Sequence, residues 1–148
     1  MNLKFKIIPE ENLQEIIPLL QQLNTTTPIE ILKERVRQMG KTTNYECAGV
    51  FDEDKLIGIS GLWYSMRHYV GYSAEPDHVV IDKSYRNKNI GKRFFEWIDE
   101  YTKTKGCEAI ELNSYTGNRK SHKFYHNEGF EIYGFHYVKI LRDDKEFY

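Results

Sequence analysis

The chain has little cysteine, little proline and no long apolar run. Its two cysteines, Cys47 and Cys107, each lie within an apolar stretch and are not spaced as metal ligands are. We therefore expect buried free thiols in a reducing compartment and no required metal. The absence of an apolar leader segment adds the expectation of a cytoplasmic location. No stretch approaches the ~20 apolar residues of a transmembrane helix, so we predict no membrane partner.

An excess of charge of one sign is also absent. The chain carries 21 Lys and Arg against 22 Asp and Glu, which gives a formal net charge of −1. Without a basic field or a nucleic-acid reading motif, we expect no nucleic-acid partner. The 148 residues are 40% hydrophobic and 29% charged, without repeats or low-complexity tracts. These values are typical of one globular domain, and we predict a single domain over 1–148.

Hydrophobic periodicity predicts strands that alternate with helices in the middle of the chain and pair as hairpins elsewhere. This arrangement is typical of an α/β (α+β) fold in which helices cover a mixed sheet. We interpret the polar, aromatic residues 64–76 as a loop. The predicted strands are 4–7, 45–51, 56–63, 77–82 and 107–113, with a final hairpin pair at 130–133 and 135–141, and the predicted helices are 10–22, 29–39, 91–105 and 118–128.

The segment 86–92, Arg-Asn-Lys-Asn-Ile-Gly-Lys, follows the strand-like run 78–81 and opens a long amphipathic helix. Backbone N–H groups at the start of a helix bind anions, and the two lysines of the segment add positive charge. The segment is not a nucleoside triphosphatase loop, because Gly91-Lys92 is followed by Arg93 where Ser or Thr is needed. It predicts a site for the pyrophosphate of a cofactor.

A second motif lies in the last predicted helix. Asn118 is suited to cap the start of this helix, and Gly129 is suited to end it. Between them lies Phe124-Tyr125, and Phe130 follows the glycine. A phenol beside a bound cofactor can donate a proton, so Tyr125 is a candidate acid.

The two motifs together resemble those of the Gcn5-related N-acetyltransferase (GNAT) superfamily. The family's cofactor turn, Arg/Gln-x-x-Gly-x-Gly/Ala, corresponds here to Arg86-x-x-Asn89-x-Gly91, and its later motif is the one just described. The resemblance implies a single-domain GNAT-like fold with a mixed, mostly antiparallel central sheet, flanked by helices and splayed at strands 4 and 5. Asn89 replaces the family's first glycine. Because Asn tolerates a positive φ well, we expect the turn to survive.

The resemblance implies that acetyl-CoA donates its acetyl group to a primary amine that attacks directly. The amine, with an ordinary pKa near ~10.4, must first lose a proton. In this family a backbone N–H of the splayed strand polarises the thioester carbonyl and a tyrosine protonates the leaving thiolate, which implies Tyr125 as the catalytic acid. The implied cofactor-binding residues are Val79, Val80, Ile81, Arg86, Asn87, Lys88, Asn89, Ile90, Gly91, Lys92, Asn118 and Tyr125.

The general base is less well defined. Asp77 lies shortly before the cofactor turn, where some family members carry a glutamate that acts directly or through water. Strand alternation would place Asp77, Val79 and Ile81 on one face. Glu75, His78 and water remain alternatives, and His78 has the most suitable ordinary pKa.

The sequence does not identify the acceptor, because loops set specificity in such folds. Residues 122–141 and Asn89 hint at the aminoalkylphosphonate N-acetyltransferase branch, and Arg67 and His68 are candidates to meet an anionic end of a small amine. The alternatives are a protein or peptide N-acetyltransferase and a catalytically silent CoA-binding module, and the intact Tyr125 argues against the silent module. Dimers are common in the family, so a homodimer is one expectation and the oligomeric state stays open.

Overall fold

The computed structural model describes residues 1–148 and contains five strands and four α-helices. The chain divides into two compact units, Met1–Leu112 and Asn113–Tyr148, which are described separately. None of the helices combines the length and the apolar character of a membrane-crossing segment. The first unit contains β1 (Leu3–Ile8), α1 (Ile17–Leu23), α2 (Ile29–Gly40), β2 (Tyr45–Asp52), β3 (Lys55–Arg67), β4 (Gly71–Ile81), α3 (Ile90–Thr104) and β5 (Ala109–Ile110), and the second contains α4 (Arg119–Asn127).

One sheet organises the first unit, with the strand order β1-β2-β3-β4-β5. The first four strands are antiparallel neighbours, and β5 pairs with β4 in parallel. The short β5 pairs only with Ser73 and Ala74, near the beginning of β4. The rest of β4 therefore separates from β5, and the predicted mixed, mostly antiparallel sheet with splayed fourth and fifth strands is confirmed.

Helices cover both faces of this sheet. The apolar side chains of α1 and α2 pack with Ile59 and Val80 on one face. On the other face Ile90, Phe94 and Ile98 of α3 pack into a second cluster. These three residues are spaced by four along α3, as the single apolar stripe of an amphipathic helix requires.

The helix expected at 10–22 is divided in the structure. A 3₁₀ helix spans Glu10–Ile16, and α1 begins only at Ile17, with Pro18 in its first turn. Proline has no N–H group and clashes with the carbonyl one turn earlier, so it is accommodated at a helix start and not in its interior.

The prediction of a loop at 64–76 is wrong. β3 and β4 extend through it and leave residues 68–70 as a turn. Aromatic side chains pair across the two strands, as the rings of Tyr64 and Tyr72 do with centroids 6.0 Å apart. Such cross-strand pairs stabilise strands whose polar residues suggested a loop.

Two further strand predictions differ from the structure. The strand expected at 107–113 is only Ala109–Ile110, although backbone bonds from Glu108 to Tyr72 (2.7 Å) and from Glu111 to Ala74 (3.0 Å) extend the contact with β4. The hairpin pair expected at 130–133 and 135–141 forms no strand. Alternation alone does not make a strand, because a hairpin without a neighbouring sheet is only marginally stable.

In the second unit, α4 has a defined start and end. The side chain of Asn118 accepts a bond of 3.4 Å from the backbone N–H of Ser121 and caps the helix, as expected. Gly129 has a φ of 92° after the last turn, and the N–H of Phe130 reaches back 3.0 Å to the carbonyl of Tyr125. This is a Schellman ending, which fixes the backbone around Tyr125.

Candidate active site

The turn that precedes α3 has the conformation of an anion site. Asn87 and Asn89 both have left-handed backbones, with φ of 62° and 59°. The expectation that Asn89 keeps a positive φ in place of glycine is therefore confirmed. The helix begins at Ile90, and its first intrahelical bond runs from the N–H of Arg93 to the carbonyl of Asn89 at 3.4 Å. The N–H groups of the first turn have no carbonyl partner within the helix, so they are available to an anion.

Neighbouring side chains fix the turn at its base. The Arg86 guanidinium donates 3.3 Å to the carbonyl of Ile81 at the end of β4. Asp82 accepts from the hydroxyl of Ser84 and from its N–H, and these two bonds lower the pKa of Asp82 to about 2. Lys88 lies over the ring of Tyr85, with its ammonium 5.0 Å from the ring centre. The structure therefore brings together the consecutive residues predicted to bind pyrophosphate, Arg86, Asn87, Lys88, Asn89, Ile90, Gly91 and Lys92.

A β-bulge lies in β4 immediately before this turn. Val80 pairs with Ile59 and Asp77 pairs with Gly61, so two residues of β4, His78 and Val79, lie opposite Ser60 alone. A bulge leaves a residue outside the ladder of hydrogen bonds and bends the strand. The backbone of Val79, predicted with Val80 and Ile81 to contact the cofactor, is thus released from regular pairing.

The bulge also overturns the expectation that Asp77, Val79 and Ile81 share one face. Asp77 lies across from Gly61 and Val80 across from Ile59, which places both on the face covered by α1 and α2. Ile81 packs in the cluster on the other face. The extra residue shifts the two-residue alternation by one position between Asp77 and Val80.

Asp77 is an exposed carboxylate held by two hydrogen bonds. It accepts 2.8 Å from the N–H of His78 and 3.2 Å from the indole N–H of Trp63 on β3. These bonds orient the carboxylate and leave it accessible to solvent. Glu75 lies opposite Trp63 in the same pair of strands and is less exposed than Asp77.

His78, the rival base, is enclosed. Its Nε2 lies 2.8 Å from the hydroxyl of Tyr45, and its Nδ1 is buried without a hydrogen-bond partner. Burial lowers the pKa of His78, against the opposing pull of the Asp77 carboxylate, so the ring is neutral near pH 7. Burial also raises the pKa of Tyr45, which keeps its hydroxyl protonated. Sequence analysis missed Tyr45 and Trp63, because their proximity depends on strand pairing across the sheet.

Tyr125 lies in the second unit, in the last turn of α4. It is half-buried, and its ring meets those of Phe124 and Phe130 at centroid distances of 5.5 Å and 5.7 Å. Burial raises the pKa of Tyr125, so the phenol carries its proton at neutral pH. A protonated phenol is what a general acid requires. Asn118 caps the same helix, and its predicted contact with the cofactor stays a prediction.

Arg67 and His68, the residues expected to meet an anionic acceptor, both contact other side chains of the protein. The Arg67 guanidinium lies 3.3 Å from the carboxylate of Glu111, which also accepts 2.6 Å from Tyr69 and 2.9 Å from Ser73. These bonds tie the β3–β4 turn to the end of β5. Arg67 therefore has a carboxylate partner within the protein. His68 lies in the turn itself, with its ring against that of Tyr69.

The cysteines are free, as expected, and neither is activated. Cys47 is buried, and desolvation raises its pKa to about 12. Cys107 is only half-buried, which corrects the expectation for that residue, and burial raises its pKa as well. A thiol that stays protonated is a poor nucleophile. No group of three or more His, Cys, Asp or Glu side chains could hold a metal ion.

Comparison with known proteins identifies the family. The model of the Acetyltransferase (GNAT) family matches residues 14–130. The chain belongs to this acetyltransferase family, whose co-substrate is acetyl-CoA, and the expectation of an acetyltransferase enzyme is confirmed.

Two curated relatives are N-acetyltransferases. The aminoalkylphosphonate N-acetyltransferase of Salmonella typhimurium is 28% identical over 74 residues, which are 50% of this chain and 48% of the relative. The match thus spans about half the length of that protein. The glucosamine 6-phosphate N-acetyltransferase of Trypanosoma brucei brucei is 25% identical over 140 residues, 90% of this chain and 92% of the relative.

A solved structure supports the fold. The ribosomal-protein-alanine N-acetyltransferase from Brucella melitensis biovar Abortus 2308 superposes with a TM-score of 0.79 at 15% identity, over 95% of this chain and all of that one (100%). At this identity the likeness concerns the fold alone.

Proposed function

We propose that the protein transfers the acetyl group of acetyl-CoA to the primary amine of a small molecule by direct attack of the amine. The observation that carries this proposal is the exposed turn at the start of α3, where left-handed Asn87 and Asn89 precede N–H groups without helical partners. Such a turn fits the pyrophosphate of CoA. The bulge that precedes it in β4 supports a site for the thioester beside the phosphate site.

Each step has a candidate group in the chain. The backbone N–H groups of Val79, Val80 and Ile81 are proposed to donate to the thioester carbonyl as it gains negative charge. Asp77 is proposed to take a proton from the bound ammonium, directly or through water, and the free amine then forms the bond to the carbonyl carbon. As the carbon–sulfur bond breaks, the sulfur takes a proton from the Tyr125 hydroxyl. The new amide nitrogen releases its second proton to solvent, and Tyr125 regains a proton from solvent.

We propose a small amine with an anionic end as the acceptor. The names of the two curated relatives support this class, because an aminoalkylphosphonate and glucosamine 6-phosphate both join an amine to a phosphorus oxyanion. The Arg67–Glu111 pair weighs against Arg67 as the group that binds this oxyanion, since its charge is already compensated. The phosphorus oxyanion of the acceptor is therefore expected to bind to groups other than Arg67.

An amine panel tests the proposal. Purified protein is assayed with acetyl-CoA and thiol-release detection against aminoalkylphosphonates, amino-sugar phosphates, their uncharged analogues and peptides with free N-termini. We expect turnover with small phosphorylated or phosphonylated amines, and weaker turnover with the uncharged analogues. Turnover confined to peptides would make the protein a peptide N-acetyltransferase, and binding of CoA without any turnover would make it a silent module.

We also propose a homodimer. Four large apolar side chains in the segment 133–141 are more than 80% exposed, namely Tyr133 (92%), Phe135 (82%), Tyr137 (88%) and Leu141 (82%). Since an aromatic side chain offers ~150–250 Å², this segment presents on the order of 700 Å² of apolar surface. That area approaches the ~800 Å² that each partner contributes to a standard interface. Light scattering at several concentrations tests this, and a monomer at all concentrations contradicts it.

A cytoplasmic location remains part of the proposal. It is supported by the free thiols of Cys47 and Cys107, which persist in a reducing compartment. Fractionation of cells that produce the tagged protein tests it, and recovery outside the cytoplasm contradicts it.

A further inference from the structure

His78 has an unusual backbone conformation for its position. Its φ is 40°, in the left-handed region that favours glycine, and it lies within the bulge of β4. A non-glycine residue keeps such a conformation only where surrounding contacts impose it. The question is therefore which contacts hold His78 in place.

Two features of neighbouring strands seat the imidazole ring. The Tyr45 hydroxyl lies 2.8 Å from Nε2, with the two rings 6.0 Å apart. Gly61 lies against the same end of the ring, where an added Cβ would lie 2.3 Å from Nε2. The ring therefore fits because residue 61 has no side chain, and the Tyr45 hydroxyl holds Nε2 in place. Both residues belong to the first unit of the chain.

These contacts extend to the proposed base, Asp77. Four residues, namely Tyr45, Trp63, Asp77 and His78, contact one another in a closed ring. Tyr45 packs against Trp63 with ring centroids 4.6 Å apart, and the Trp63 indole donates to the Asp77 carboxylate. The other carboxylate oxygen accepts from the backbone N–H of His78, and the His78 ring in turn bonds to the Tyr45 hydroxyl. A shift of the His78 ring would therefore move the Trp63 indole and the His78 N–H, which are the two groups that bind the Asp77 carboxylate. It would also move the backbone that leads into Val79.

We infer that Tyr45 and His78 are positioning residues for acetyl transfer, an inference that rests on the proposed function. Their hydrogen bond holds the β4 bulge in the shape that aims the Val79 N–H and the Asp77 carboxylate. His78 is not itself the base: Tyr45 occupies Nε2, and the protein encloses Nδ1. The titratable groups in contact with His78 are Tyr45 and Asp77.

The first test is Tyr45→Phe, which keeps the ring and removes the hydroxyl. Misplacement of reacting groups by a fraction of an ångström to an ångström lowers rates by ~10- to 100-fold. We expect kcat to fall by that factor while KM for acetyl-CoA stays within about twofold, since the pyrophosphate turn is untouched. The pH dependence of kcat/KM should keep its shape, because the base is retained.

Tyr64→Phe is the matched control. Tyr64 is exposed to the same 7% as Tyr45, and its hydroxyl makes a bond of the same 2.8 Å length, to Glu46 instead of the bulge. A merely structural role predicts equal losses in the two variants. We expect the melting temperature to fall in both and kcat to fall only in Tyr45→Phe.

Two substitutions of His78 separate positioning from proton transfer. In His78→Gln the side-chain amide reaches the place of Nε2 and can still accept from Tyr45, whereas in His78→Asn it cannot. We expect His78→Gln to retain more kcat than His78→Asn, although asparagine suits the positive φ better. A base at His78 predicts instead equal loss in both and disappearance of the acidic limb of the pH profile.

The outcomes are distinguishable. A parent enzyme that acetylates no amine of the panel overturns the proposed function and this inference together. An active parent with Tyr45→Phe at full kcat, or with equal losses in Tyr64→Phe, overturns the inference alone. Loss of the acidic limb in both His78 variants also overturns it and makes His78 the base.

Discussion

The carboxylate of Asp77 on β4 accepts a hydrogen bond of 3.2 Å from the indole N–H of Trp63 on β3. This contact lies beside the bulge, where the two strands pair regularly, and it directs one carboxylate oxygen while the other stays with the N–H of His78. An exposed carboxylate held in this way is oriented without being buried. It is therefore suited to receive a proton from an incoming ammonium group.

Asp77→Asn is expected to abolish this function at the loss of one of the two hydrogen bonds. The single amide oxygen accepts from His78 or from Trp63 but not from both, and the group no longer takes a proton, so kcat should fall by ~10²–10⁴-fold. Steady-state rates across pH provide the measurement. Glu75→Gln is the matched control and should stay within about twofold of the parent. Equal losses in the two variants, or none in Asp77→Asn, would assign the proton transfer to another group or to water.

The sequence predicts the cofactor turn well because its determinants are local. A strand, a turn with Asn89 at a positive φ and a helix starting at Ile90 follow from neighbouring residues, and the structure contains all three. The surroundings of Asp77 are different, because strand pairing brings Trp63 to the carboxylate and Tyr45 to Trp63 and His78. Alternation without the bulge placed Ile81 on the wrong face. Non-local pairing of this kind leaves no signal in a short sequence window.

The extent of the strands differs from the prediction for the same reason. Residues 64–76 are polar and aromatic but pair in the sheet, whereas residues 130–141 alternate like strands and pair with none. In both cases the neighbour decides the conformation more than the intrinsic preference of the segment does. The predicted ends of α4 agree better with the structure, because Asn118 and Gly129 cap this helix through hydrogen bonds between residues a few positions apart.

CoA and acetyl-CoA are expected to raise the melting temperature. A ligand that binds only the folded state stabilises it by ~2.7 kcal/mol at a hundred times its Kd. The free N–H groups at the start of α3 and the exposed lysines of the turn supply the binding energy. Thermal unfolding with increasing CoA measures the shift. An unchanged melting temperature at millimolar CoA contradicts the assignment of the turn.

Gly91→Glu should remove that shift. The substitution places a side chain and a negative charge in the first turn of α3, where the pyrophosphate is proposed to lie. Thr104→Glu, an exposed position in the last turn of the same helix, adds the same charge far from the turn and serves as the control. Calorimetric titration should detect CoA binding to the control and none to Gly91→Glu. If both variants bind CoA like the parent, the phosphates bind elsewhere.

The stability of the fold should depend on pH through the ionisation of Glu46. Its carboxylate accepts from Tyr64, Tyr101 and Lys105, which join β2 to β3 and to the end of α3. Burial alone would raise the pKa of Glu46, but these three bonds together lower it. A lowered pKa stabilises the fold above the ordinary carboxyl pKa near ~4.3, and this contribution disappears as the pH falls through the folded value.

Glu46→Gln tests this relation. We expect the variant to be less stable than the parent by ~1–2 kcal/mol at pH 7 and by progressively less below pH ~4. Glu100→Gln removes an exposed pair with Lys103 and should change stability far less than Glu46→Gln at pH 7. Urea unfolding between pH 3 and 7 provides the data. A difference that stays constant with pH would show that the charge of Glu46 does not matter.

Tyr125→Phe should lower kcat far more than it weakens CoA binding. The ring contacts with Phe124 and Phe130 remain, so packing changes little, while the only group lost is the hydroxyl proposed to protonate the leaving sulfur. Loss of a general acid costs ~10²–10⁴-fold, and a substituting water would place the loss at the low end. Tyr115→Phe, at a residue of the same unit with 68% exposure, is the control and should be neutral. Steady-state rates with the best acceptor and separate CoA titrations decide the matter: a rate within about twofold of the parent would make Tyr125 a packing residue and require another acid.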